Sequence, residues 1–175
     1  MNVNIKRLLV WAGIFCVLLA YVLVFERISM EDEENIPEKL DRVFPLPQAE
    51  IRSIQIIQGD KNTTLMKKDR SWKMVSPADT SISEENIRSL VSAVADVVKI
   101  DVIEQNPTNP AQYGLEQPKT TINVFYERKR DPITLLLGNS APTGVSMYGL
   151  HKNDNSVLMI GTYLRFSINS FLGKL

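Results

Sequence analysis

The order of patterns along the chain predicts an α+β protein. An N-terminal transmembrane helix is followed by a small, mainly antiparallel sheet domain made of a β-meander, one amphipathic helix and further β-hairpins. Three observations carry this expectation. The chain opens on an uncharged apolar run, short segments of period-two alternation recur after residue 50, and one central stretch shifts to the helical period. The regular strand–helix alternation of a doubly wound sheet is missing, which favours antiparallel pairing.

The apolar run Leu8 to Phe25 reads LLVWAGIFCVLLAYVLVF. As a helix it would rise about 27 Å, close to the hydrocarbon thickness of a bilayer. Lys6 and Arg7 precede it, and Glu26, Arg27, Glu31, Asp32, Glu33 and Glu34 are charged residues that follow. Basic residues are retained on the cytoplasmic side, so the order predicts a single pass with the remainder exported. No small-x-small cleavage site follows the run, which favours an uncleaved anchor over a signal peptide. The resulting organisation is a cytoplasmic tip and anchor over 1–28, an acidic, proline-containing spacer over 29–49, and an exported α+β domain over 50–175.

Within that domain, Ile51 to Gln58, Thr63 to Lys68 and Trp72 to Val75 read as a meander, separated by Gly59-Asp60-Lys61-Asn62 and Lys68-Asp69-Arg70-Ser71. Trp72 and Met74 should share one face, with Lys73 on the other. Ser81 and Ser83 are both N-cap candidates, and Ser81-x-x-Glu84 fits a capping box. Ile87, Leu90, Val91, Val94, Val97 and Val98 form one apolar stripe that needs a sheet to cover. Strands are expected at Ile100 to Gln105, Thr120 to Glu127, Ile133 to Leu137, Met147 to Lys152 and Val157 to Ile160. Thr162 to Leu172 closes the chain as a short helix with Leu164, Ile168, Phe171 and Leu172 on one side.

Composition excludes more functions than it suggests. The 175 residues carry twenty basic and twenty acidic side chains, a formal net charge of zero, which argues against a nucleic-acid partner. One cysteine and one histidine leave no disulfide framework and no two-histidine metal motif. His151 reads as a packed or surface strand residue. The chain has no Gly-x-Gly-x-x-Gly, phosphate loop or nucleophile elbow, so neither a cofactor nor an enzymatic activity is expected. Arg128-Lys129-Arg130 reads as a solvated hairpin tip. Trp72 reads first as core and second as a ligand platform. Tyr113-Gly114-Leu115-Glu116-Gln117-Pro118 is the most distinctive loop: Gly114 suits a positive φ, Pro118 sets the entry to the next strand, and Tyr113 and Leu115 plug the core.

One ordered set of residues stands out: Trp72 with Pro77, the amphipathic helix, Tyr113-Gly114-Leu115 with Pro118, Leu137-Gly138, Tyr148 and a final Val157-containing strand. In this order they resemble the bacterial domain-of-unknown-function 4340 family, as a single-copy, membrane-anchored member, over about Phe44 to Leu172. The family's small residue and Asp before the helix has two possible counterparts here, Ala78-Asp79 and Ser83-Glu84. The resemblance implies an exported protein of the bacterial cytoplasmic membrane, often encoded beside ABC-type transport systems resembling those of gliding motility. It supplies no catalytic residues.

The leading expectation is therefore a non-enzymatic, membrane-anchored accessory or scaffold subunit of an envelope complex. Its membrane contact would be Leu8 to Phe25, and its partner a protein such as an ABC-type transporter subunit. The alternative is an exported domain that captures a lipid, glycan or peptide in an apolar pocket lined by Trp72, Tyr113 or Tyr148. Candidate contacts for a ligand or partner are Trp72, Tyr113, Gly114, Leu115, Pro118 and Tyr148.

Overall fold

The computed structural model describes Trp11, Ile14, Phe15, Leu18, Leu19, Tyr21, residues 41–78 and residues 82–175. The chain divides into two compact units, Met1–Leu40 and Asp41–Leu175. In the first, the six described residues are helical and exposed, and the rest of the Leu8 to Phe25 run lies outside the described residues.

The second unit is one antiparallel sheet of eight strands, in the order β3-β2-β1-β5-β6-β7-β8-β4. Its strands are β1 (Ile51–Gln58), β2 (Lys61–Lys68), β3 (Ser71–Ser76), β4 (Lys99–Gln105), β5 (Thr120–Tyr126), β6 (Ile133–Ser140), β7 (Ser146–His151) and β8 (Ser156–Gly161). Two helices, α1 (Glu84–Ala95) and α2 (Tyr163–Leu172), pack against each other and the sheet. This corrects the expected fold class. Among the described residues no helix is long and apolar enough to cross a membrane. A span needs about 20 consecutive apolar residues, whereas α1 has 12 residues, α2 has 10, and each buries only one face.

The meander forms because its turns are two residues long and polar. β1 pairs β2 from Gln58↔Lys61 outward, across Gly59-Asp60, and Gly59 takes a positive φ of 56°. β2 then pairs β3 from Lys68↔Ser71, across Asp69 and Arg70, both at positive φ. β1 also pairs β5, burying it inside the sheet. Period-two patterning then sorts the faces: Ile122, Val124 and Tyr126 of β5 are buried while Thr121, Asn123 and Phe125 are only partly covered.

α1 starts at Ser83, whose Oγ accepts a hydrogen bond from Asn86 N at 3.3 Å. Ser81 and Asp79 lie outside the described residues. Ile87, Leu90, Val91 and Val94 face the core, but the helix stops at Ala95, so Val97 and Val98 belong to the descent into β4. All four expected apolar residues of α2 are buried: Leu164, Ile168, Phe171 and Leu172. Lys174 Nζ donates to Asn86 Oδ1 at 2.8 Å and ties the two helices.

The compact unit begins at Asp41, so residues 41–49, which the sequence suggested as part of a spacer, pack with the sheet domain. Val43 N donates to Val97 O at 3.0 Å, Lys99 N donates to Asp41 O at 2.7 Å, and Arg42 bridges Val98. Val43 and Phe44 are thereby carried into the core.

Tyr126 is fully buried, and its hydroxyl has no hydrogen-bond partner among the described residues. Burial, with Glu50 nearby, pushes this phenol up to about 12. A folded value above the unfolded one keeps the stabilising contribution whole below about pH 10 and removes it as pH rises through about 12. Tyr126→Phe removes the unsatisfied group and should raise stability by about 1 kcal/mol. It should also flatten the loss of stability above about pH 10, as read from urea unfolding at several pH values. A lower urea midpoint for the variant at neutral pH would count against this account.

Candidate functional site

The sheet face opposite the helices is built in two parts. Across β2, β1, β5 and β6 it carries a polar ladder. Gln55 Nε2 donates to Asn62 Oδ1 at 3.1 Å, Asn123 Nδ2 to Gln55 Oε1 at 3.1 Å, and Thr134 Oγ1 to Asn123 Oδ1 at 2.8 Å. Across β6, β7 and β8 it is apolar instead. Leu136 lies opposite Leu150, and Leu150 opposite Val157, and these cluster with buried Leu115.

The Tyr-Gly-Leu loop covers this apolar half. A 3-10 turn over Pro110–Tyr113 ends on Gly114 at a φ of 70°, a conformation that glycine adopts without the Cβ penalty. Leu115 drops into the cluster, and Tyr113 packs on Tyr148 with ring centroids 5.0 Å apart. The Tyr113 hydroxyl donates to Glu104 Oε2 at 3.0 Å. Burial, and then the Glu104 carboxylate, raise the Tyr113 phenol above its usual value. Pro118 is half-buried just before β5.

The loop is seated by two glycines. A Cβ on Gly114 would overlap the Asn139 side chain, and a Cβ on Gly138 would overlap the carbonyl oxygen of Tyr113. Gly138 sits where β6 bulges against β7: Leu137 pairs Gly149 and Ser140 pairs Met147, three steps against two. Thus Tyr113, Gly114 and Leu115 meet Gly138 of β6 in space, although Leu115 and Leu137 lie twenty-two positions apart.

The structure brings Tyr113, Leu115 and Tyr148 together and leaves Trp72 apart. Trp72 belongs to the other, helix-covered core, at 8% exposure. Trp72 therefore does not share a lining with Tyr113 and Tyr148. His151 is likewise structural: its Nδ1 lies 2.6 Å from Asp154 Oδ1, inside the β7–β8 hairpin. Burial works to raise the Asp154 carboxyl, but hydrogen bonds from Ser156 and His151 outweigh it and leave it below its usual value. Arg128-Lys129-Arg130 is an exposed turn. Among the described residues, no group of three His, Cys, Asp or Glu side chains is placed to hold a metal ion.

What the sequence did not single out is a cleft of about 480 Å³ at the end of the sheet, beside the seated loop. Gln58 ends β1 and Thr120 begins β5 on one side; Gly138, Asn139 and Ser140 end β6; Arg165 and Asn169 of α2 form the opposite wall. Gly114, Gln117 and Lys119 complete the rim. Gln58 Nε2 donates to Thr120 Oγ1 at 3.1 Å and to Asn169 Oδ1 at 2.9 Å, fixing three side chains of the lining. Arg165 Nη1 donates to Ser140 Oγ at 2.9 Å, and Nη2 donates to the Gly138 carbonyl. Partial burial lowers the Arg165 pKa, though the group stays charged. Gly114 is legible as a tight loop, but Gly138, expected to open a loop after Leu137, lies within β6; the polar side chains arrive from segments with no shared pattern.

A second surface flanks the cleft. Val145, Tyr163 and Phe166 are 74%, 69% and 71% exposed. Tyr163 and Phe166 are one helical turn apart, and both Thr162 N and Thr162 Oγ1 donate to Val145 O, which holds Val145 beside the start of α2.

No curated protein and no solved structure matches the chain. One family model does, described as a domain of unknown function (DUF4340), over residues 72–172. The match begins at Trp72, contains the glycine-seated loop and ends at the last buried residue of α2, so the chain belongs to the DUF4340 family.

Proposed function

We propose that this domain is a non-enzymatic accessory or scaffold subunit of a bacterial envelope complex, and that it binds a protein partner through Val145, Tyr163 and Phe166. The observation that carries this reading is the exposure of two adjacent aromatics on α2, next to an exposed valine. Lone surface apolar residues are ordinary, but clustered aromatics are enriched where proteins dock. The other route, strand addition at β4, is less favoured. β4 is an edge strand, but its first residue, Lys99, is engaged by Asp41, and its pairing with β8 is interrupted twice. Such features blunt edge-to-edge pairing. The envelope location and an ABC-type transporter subunit as partner are parts of the proposal. They rest on the family resemblance.

Purification of the tagged full-length chain from its native cells in mild detergents tests this. The wild type should bring down one partner in fixed proportion. A Tyr163→Ser, Phe166→Ser double variant, altered only at exposed positions, should recover about a tenth as much or less, since losing one tyrosine hot spot costs about 2 kcal/mol or more. Recovery of the lone chain across several detergents, or equal recovery by the double variant, would count against the reading.

A further inference from the structure

We propose that the cleft between the sheet end and α2 binds a small hydroxyl-rich anion, a sugar acid or a sugar phosphate. This stands apart from the protein-partner reading, which uses the outer face of α2.

Charge is the first argument. Among the described residues the cleft is lined by two cations, Arg165 and Lys119, and by no carboxylate. Neither cation forms an ion pair among the described residues. Arg165 is held by two neutral oxygens, which use two of the five N–H groups a guanidinium carries and leave the rest for a ligand. A partly buried guanidinium without a counter-charge is the arrangement an oxyanion completes, through charge-assisted hydrogen bonds.

Hydrogen-bond direction is the second. Thr120 Oγ1 and Asn169 Oδ1 already accept from Gln58, and Ser140 Oγ already accepts from Arg165. What these side chains have left to offer includes the Thr120 and Ser140 hydroxyl hydrogens and the Asn169 amide hydrogens. The wall is therefore preset to donate, which suits an anion and disfavours a cation. Gln117 and Asn139 add side-chain amides, which can both donate to and accept from hydroxyl groups.

Size is the third. A cleft of about 480 Å³ lies within the usual range for small-molecule sites and exceeds what a bare phosphate fills. Among the described residues its only large aliphatic side chain is Leu137, so an acyl chain finds no apolar wall. The ligand chemistry that matches is an oxyanion carried on a hydroxylated body.

Calorimetric titration of the full-length chain with glucuronate, glucose 6-phosphate, glucose and inorganic phosphate tests the assignment. At least one of the two acidic sugars should bind, and glucose should bind about tenfold more weakly or worse. Lys119→Gln should weaken the acidic sugar about fivefold without moving Tm, because Lys119 Nζ holds nothing else among the described residues. Arg165→Gln should weaken it about tenfold, with partial recovery in Arg165→Lys. Arg165 also ties α2 to β6, so Lys119→Gln decides the matter should Arg165→Gln fail to fold. No heat and no chemical-shift change with either acid at about 10 mM would overturn the proposal. So would affinities unchanged in Lys119→Gln, glucose binding as tightly as its acidic derivatives, or phosphate alone matching glucose 6-phosphate.

Discussion

Replacing Phe44 with alanine should destabilise the protein by about 3–5 kcal/mol, a large share of the roughly 5–15 kcal/mol that a domain of this size has to lose. Phe44 has no exposed surface and belongs to the main core with Val43, Ile51 and the α1 stripe. It arrives there because Asp41 to Val43 runs antiparallel to Val97 to Lys99, where the chain enters β4, and Arg42 pairs with Asp96 at 3.2 Å. Removing the ring leaves a cavity between sheet and helices, and the surrounding structure relaxes only in part. Were this segment merely a solvated spacer, the same substitution would change stability by less than about 0.5 kcal/mol. The two accounts therefore differ several-fold in one urea unfolding experiment, with the m-value unchanged. A loss below about 1 kcal/mol would show that the segment before β1 adds little to the core.

Phe44 also shows where the sequence is legible and where it is not. β1 is readable at Ile51 to Gln58 because alternation and a two-residue turn act locally. Ile87, Leu90, Val91 and Val94 reveal the buried face of α1 for the same reason: helical spacing lines them up without help from distant residues. Val43 and Phe44 are two apolar residues among acids and prolines, with no period to mark them. Their burial depends on Val97 and Lys99, more than fifty residues away. The insertion of β5 beside β1 is equally non-local, because nothing in either strand names its partner.

The candidate site divides along the same line. Gly114 and Leu115 were readable as a tight loop with a core plug, since a glycine at positive φ followed by a buried leucine is a local device. Tyr148 meets Tyr113, but Trp72 lies in the other core. A shared aromatic character could not reveal that these residues occupy opposite faces of the sheet. Arg165 was hidden for a further reason. It lies between Leu164 and Phe166 on an amphipathic helix, where a charged residue is ordinarily solvated. Only the fold places it against the carbonyl of Gly138.

Gly138→Ala should cost about 3 kcal/mol, near the upper end of what over-packing usually does. The position is buried, and an added Cβ would overlap the Tyr113 carbonyl oxygen and lie 2.9 Å from Leu115 Cγ. A flexible side chain could rotate away, but the carbonyl belongs to the turn that ends on Gly114 and is held by Gly114 N donating to Ala111 O at 2.9 Å. Relief thus requires the loop to lift from β6. Lifting exposes Leu115 and separates Tyr113 from Tyr148, so the loss includes apolar burial as well as the overlap. Gly114→Ala should be milder, at about 1–2 kcal/mol, because its obstacle is the Asn139 side chain and its remaining cost is the positive φ. Gly59→Ala is the control for conformation alone: it shares a positive φ, and nothing among the described residues lies within 4 Å of its added Cβ. The expected order of loss is Gly138, then Gly114, then Gly59, measured by urea unfolding. Near-ultraviolet circular dichroism should also show weakened tyrosine signal in the folded Gly138→Ala protein alone. Equal losses at Gly138 and Gly59 would mean that the loop is not seated on the β6 bulge, and the cleft beside it would lose the rigid rim that its geometry requires.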